Sequence, residues 1–214
     1  MLKTRLALSL LIVLCASFTG ARAQTLAQFG GASASAEGEG AVFMLAGNEA
    51  FRAGVGARFN IARVCDFGLQ FGVDRSCEET FYGGGVDLKI VVLEATARLP
   101  VNVALDAAVG ELTNGAAGRF IFDFGILASG SIPIGGGRSI EPYGSLLARV
   151  QELDLKNGSD ELGACLCPDA KDGTDAGALA RLGVKIPVSR DSQILIEADF
   201  HRTTLFGAAF NIIF

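Results

Sequence analysis

The chain has no tryptophan, one histidine, two tyrosines and five prolines in 214 residues. Any histidine base must therefore be His201. After residue 23 no apolar run reaches the roughly 20 residues that a transmembrane helix needs. No helix of useful length and no linker composition is visible there either. There is also no block of basic residues. Of 18 Lys and Arg, three (Lys3, Arg5, Arg22) fall within residues 1–23; the remaining 15 face 23 Asp and Glu, a net charge of −8. An acidic chain without a basic patch argues against nucleic acid as a partner. What is abundant is apolar surface and glycine: half of the residues are hydrophobic and 28 are Gly. One domain can bury a full core from that material.

The first residues read as an export signal. Lys3 and Arg5 precede LALSLLIVLCASF, and Ala21-Arg22-Ala23 precedes Gln24. A basic segment, an apolar segment and a small-x-small site make a secretory signal peptide over 1–23, leaving 24–214 as the folded domain. Cys15 lacks the small residues before it that a lipoprotein signal requires. Outside the cytoplasm cysteines are normally oxidised, so Cys65, Cys77, Cys165 and Cys167 are disulfide candidates.

The dominant pattern has period two. Phe120, Phe122, Phe124, Ile126 and Ala128 share one parity, and Arg119, Asp123, Gly125 and Ser129 the other. Successive strand side chains point to opposite faces, whereas a helix would mix the two sets. The same split recurs over 51–61, 67–73, 101–110, 140–151, 180–186, 193–201 and 206–214. Residues 86–99 alternate with a slip of phase near Ile90–Val91, as a β-bulge produces. Short links (Arg63–Asp66, Leu99–Val101, Ile134–Arg138, Val188–Asp191) alternate with longer ones (Asp74–Gly85, Glu111–Gly118, Glu152–Asp175), apart from a short tip near Arg202. The pattern predicts one antiparallel meander of nine strands. A tenth, expected over Ala36–Ala46, brings both ends to one side. An eight-stranded count, with 62–85 as one long loop, is the alternative.

Which parity faces inward separates two architectures. A soluble barrel buries the apolar set; a transmembrane barrel turns it to lipid and encloses the polar set. The polar parity carries Arg52, Arg58, Lys89, Arg98, Arg119, Arg149, Arg181 and Lys185. It also carries Asp74, Asp87, Glu94, Asp106, Asp123, Glu141, Glu197 and Asp199. Eight charges of each sign suit a closed lumen, where buried charges must be paired. Small residues on the same parity (Gly54, Gly56, Gly68, Gly125, Gly183) suit a crowded interior.

The last nine residues are FGAAFNIIF, with Phe206, Phe210, Ile212 and Phe214 on one face. This terminal strand, ending on Phe, resembles the C-terminal signature of bacterial outer-membrane β-barrel proteins. Together with the export signal and the meander, the resemblance covers essentially all of the chain. It implies a closed all-β, antiparallel up-and-down transmembrane barrel of about ten strands (eight as the alternative) in the outer membrane. It also implies lipid as surroundings and a last strand read by the barrel-assembly machinery; a monomer without a cofactor is expected. Two features depart from that class. Tyr82 and Tyr143 are the only side chains that could give an aromatic girdle its polar handle, and four cysteines follow residue 23.

Chemistry-bearing candidates are few. His201 falls on the lumen parity beside Asp199 and Glu197. Outer-membrane lipid A deacylases resemble this in pairing a His-x-Ser element with a carboxylate; Thr203 stands here in the serine place. Asp199 and His201 alone do not make the acid-pair site of a ten-stranded omptin-type protease. Cys165-Leu166-Cys167 is too few ligands for structural zinc, and its acidic setting disfavours an activated thiol. Asp154, Asp160, Glu161, Asp169, Asp172 and Asp175 read as a solvated loop, without the ligand spacing of an EF-hand. No metal and no catalytic residue is expected. Barrels of about eight strands are filled by their own side chains, so the lumen, His201 included, is expected to be a plugged polar network. The expected role is structural or surface-binding. The alternatives are a soluble secreted barrel for a small hydrophobic ligand, and a lipid-modifying hydrolase. In the ten-stranded arrangement Cys77 would pair with Cys165 or Cys167; a Cys65–Cys77 bond would require eight strands.

Overall fold

The structure is a computed structural model and describes residues 31–32, 38–47, 50–76, 79–155, 173–201 and 204–214. Eleven strands follow one another: β1 (Glu39–Ala46), β2 (Ala50–Ala62), β3 (Cys65–Ser76), β4 (Glu79–Leu93), β5 (Val101–Thr113), β6 (Ala117–Gly130), β7 (Ile132–Gly135), β8 (Arg138–Leu155), β9 (Gly173–Pro187), β10 (Ser192–Phe200) and β11 (Thr204–Ile213). Each pairs antiparallel with its neighbours in one ring. β1 joins β11 and β6 joins β8. β7 is a short continuation of β6 that pairs only with the start of β8, so ten strands form the closed barrel. Three consecutive glycines with positive φ (Gly135 at 92°, Gly136 at 62°, Gly137 at 73°) turn the chain between β7 and β8; that conformation is cheap only without a Cβ.

The first and last strands close the ring. Their ladder runs from Glu39↔Ile213 to Ala46↔Phe206. Gly38 and Phe214 add reciprocal hydrogen bonds of 3.1 and 2.9 Å. The tenth strand read as Ala36–Ala46 is thus β1, beginning at Glu39; residues 36 and 37 lie outside the described residues. β3 pairs along its whole length with both β2 and β4, which removes the eight-stranded alternative. Eleven residue steps along β3 extend roughly 36 Å, far beyond the reach of a disulfide of about 7 Å between Cα atoms. Cys65, at one end of β3, is free. Cys77, Cys165 and Cys167 lie outside the described residues.

Links differ from the sequence reading in two directions. The segment 74–85 is not a loop: β3 and β4 continue their ladder through Gly72↔Gly83 to Ser76↔Glu79. Gly83-Gly84-Gly85 has low strand propensity, yet β4 lies so close to β5 there that a Cβ on Gly83 would strike the Glu111 carbonyl oxygen. Likewise β5 and β6 run to Thr113 and from Ala117, and β8 and β9 to Leu155 and from Gly173. At the opposite end, β4 stops at Leu93 and the link to β5 is longer than expected, 94–100. The register with β5 shifts between Val91 and Leu93, one step from the expected bulge.

The barrel is inside-out relative to a soluble protein. Phe71, Leu146 and Phe206 are 61%, 63% and 63% exposed, whereas Asp66, Asp123 and Arg181 are 0%, 1% and 2% exposed. Phe51, Tyr82 and Phe120 stand on the outer face toward the loop end, and outward-facing Arg75 and Glu152 mark where the apolar band gives way to charge. No helix among the described residues is long and apolar enough to cross a membrane; the strands do so instead. Leu146 lies near the middle of β8. A Leu146→Arg variant should lose about 2–4 kcal/mol of stability in lipid vesicles, the cost of arginine near the bilayer midplane. A water-facing site would move by roughly 0.5 kcal/mol or less; urea titration of the refolded protein reads the difference.

Candidate functional site: a sealed ionic lumen

Inward-facing positions of all ten spanning strands meet inside the barrel. At the turn end Lys89 Nζ lies 2.9 Å from Asp66, and Asn60 donates to the same carboxylate at 2.9 Å. Ser129 donates to Glu141 at 2.6 Å, and Lys185 lies 3.6 Å from Glu141. Asp66 and Glu39 were missed by the sequence reading. Asp66 falls in a link between strands in the sequence pattern, and Glu39 lies at the start of a strand that only the need for an even count points to. Both are buried, and Asn211 donates to Glu39 at 3.4 Å.

At mid-height Arg58 pairs with Asp87 at 2.5 Å, with Asp106 buried nearby. Arg149 grips Asp123 through two bonds of 2.8 and 2.6 Å, the bidentate geometry that makes arginine–carboxylate pairs strong. Arg181 pairs with Asp199 at 3.2 Å, and Tyr143 donates to Glu197 at 2.8 Å. At the loop end Asp74 receives Arg52 at 2.8 Å and Arg119 at 3.7 Å. The Arg119 guanidinium lies over the Phe81 ring, 4.6 Å from its centre, a cation–π contact. Inward glycines make room for these groups: the Asp87 carboxylate fills the side-chain space of Gly68, and the Tyr143 ring that of Gly183.

Two residues expected in this network are elsewhere. Glu94 and Arg98 are exposed in the 94–100 link. Alternation had been extended past Leu93, where the strand has already ended. Glu94 pairs there with Arg63 at 3.3 Å. One charge of each sign thus leaves the lumen while Glu39 and Asp66 enter, so the interior leans acidic. The lumen is also less polar than expected. Phe43, Leu45, Phe81, Leu112, Ile121 and Leu147 are buried inside, together with Leu179, Leu195 and Leu205. They share the parity of the charges and plug the space between ion pairs. A cavity of about 40 Å³ remains among Glu39, Phe43, Arg58, Gln70, Asp87 and Asn211, enough for a small number of waters.

His201 follows β10 at the loop end, and its Nδ1 lies 2.9 Å from the Ala178 carbonyl oxygen. A carbonyl only accepts, so Nδ1 carries the proton in that bond. The neighbouring carboxylates are engaged elsewhere, Asp199 with Arg181 and Glu197 with Tyr143. Thr203, Asp160, Glu161, Asp169 and Asp172 lie outside the described residues. Asp154 is exposed, and Asp175 accepts from Gln151 at 3.0 Å. Among the described residues no group of three metal-ligating side chains comes together.

The interior overturns the soluble alternative, which required an apolar core to hold a hydrophobic ligand. No protein-family model and no curated protein matches the chain. Solved structures do. The β domain of the Bordetella autotransporter BrkA matches at TM-score 0.51 and 10% identity, covering 83% of this chain and 99% of that one. A bacterial polysaccharide outer membrane secretin (TM-score 0.44, 10% identity, 84% and 66% covered) and LpxR from Salmonella typhimurium (0.38, 10%, 77% and 73%) match more weakly. Likeness at this identity concerns the fold: the chain is a β-barrel of the outer-membrane kind.

Removing one partner of a buried pair strands the other charge. Asp123→Ala should cost about 3–5 kcal/mol, while Asp123→Leu combined with Arg149→Met should restore most of it. Urea midpoints of the three proteins in detergent micelles test this.

Proposed function

We propose that the protein is a small outer-membrane barrel whose lumen is closed by its own side chains, and whose role is structural or surface-binding. The turn end faces the periplasm and the loop end the cell exterior. The observation that carries this reading is the stack of buried ion pairs and apolar side chains across the barrel. Such a stack leaves no wide aqueous path, since open channels belong to much wider barrels. The surroundings are outer-membrane lipid, against which Phe206, Phe210, Ile212 and Phe214 lie. The barrel-assembly machinery would read that same terminal strand during insertion of a monomer.

Planar-bilayer recording tests the sealed lumen. The purified barrel should give no large, steady conductance. A stable open level of nanosiemens size would contradict the reading. Asp123→Ala, which strands Arg149, should raise the frequency of brief openings.

A further inference from the structure

We propose that the turn-end half of the lumen is a binding site for an extended peptide with small side chains, occupied here by the chain's own Gly31–Ala32 segment. The two residues precede β1, yet both are buried, and Ala32 is 0% exposed. Lys89 Nζ donates to the Gly31 carbonyl at 3.1 Å. The Ala32 N–H donates to Ser129 Oγ at 2.9 Å. The lumen thus reads one carbonyl and the next N–H of a peptide backbone, a pair any sequence without proline at the second position can offer. Selection comes from space: a Cβ on Gly31 would meet the Glu141 carboxylate, which Ser129 and Lys185 hold in place.

The site is built rather than incidental. Lys89 is buried and fixed by Asp66. Ser129 is buried, and its own proton goes to Glu141, leaving its oxygen free to accept the Ala32 N–H. Arg58, Asp106, Tyr143 and Arg181 line the space beside the bound segment. Burying a peptide backbone is favourable only when its polar groups are satisfied, and these two contacts satisfy the Gly31 carbonyl and the Ala32 N–H. The sequence around the bound residues, Gly30-Gly31-Ala32-Ser33-Ala34-Ser35, offers nothing bulkier than serine. Gly31 and Ala32 have the small side chains the site selects. The segment then acts as a tethered plug of the periplasmic mouth, and a free peptide of the same character would compete with it.

A crosslink in the full chain tests this. Ala32→Cys and Ser129→Cys are introduced with the five native cysteines replaced by serine. The folded protein, recognised by its heat-modifiable band, should form the internal disulfide under mild oxidation. Adding Gly31→Val should abolish most of it. A folded band without the crosslink overturns the proposal, and so does a crosslink that Gly31→Val leaves unchanged. The site rests on the barrel reading, but the heat-modifiable band reports the barrel separately, so the two fail distinguishably. If the cysteine pair prevents folding, limited digestion of the native-sequence protein with elastase takes its place. Protection of the bond after Ala32 supports the plug, and ready cleavage there refutes it.

Discussion

A peptide group left without a hydrogen-bond partner in hydrocarbon costs several kcal/mol. A sheet that crosses a bilayer must therefore have no edge. The β1–β11 ladder meets that demand here, continued to Phe214 by its reciprocal bonds with Gly38. Once the ring is closed, strand geometry divides every side chain between a lipid face and an enclosed one. Leu146 and Leu147 are neighbours in sequence and chemically identical, yet one is exposed to the surroundings and the other buried. Their difference is set by the ring alone.

Closure also sets the terms for the interior. Ten strands enclose a space that side chains can fill, and charges in it are cut off from bulk water. They persist because each finds a partner: Arg149 with Asp123, Lys89 with Asp66, Arg52 and Arg119 with Asp74. A buried pair is weak evidence for net stability, since apolar replacement is often neutral. Its separation is costly, however, and that cost opposes slippage. A one-residue slip of any strand would send that strand's charges into lipid. The ionic lumen thus fixes the register that the apolar exterior, uniform around the ring, specifies less sharply. The leucines and phenylalanines between the pairs keep water out, and the Gly31–Ala32 segment caps the turn end in the same way.

The sequence disclosed the strands because period two survives without any tertiary information, and the balanced charges on one parity, with the terminal strand, told which face turns inward. It placed Arg58, Asp87, Asp106, Asp123, Arg149, Arg181, Glu197 and Asp199 on one face, and they meet inside. It failed where the period carries no information. The Gly83-Gly84-Gly85 run has no side chains to alternate, so it read as a loop although it lies within β4. Glu94 and Arg98 kept the right parity beyond the residue at which the ladder ends. Ile121, Leu179 and Leu195 occupy the enclosed face, but apolar residues on the polar parity look like noise until the barrel shows what they fill. Gly31 and Ala32 carry no pattern at all; their place is decided by Lys89 and Ser129, some 58 and 97 residues away in sequence.

The chain contains no tryptophan, so a single introduced indole is an unambiguous reporter of either face. Leu146→Trp and Leu147→Trp, each refolded into vesicles of brominated phospholipid, test the central claim of an apolar lipid-facing exterior around an ionic lumen. Strong quenching at residue 146 with little at residue 147 is the predicted result. Equal quenching at both, or stronger quenching at 147, would contradict the account.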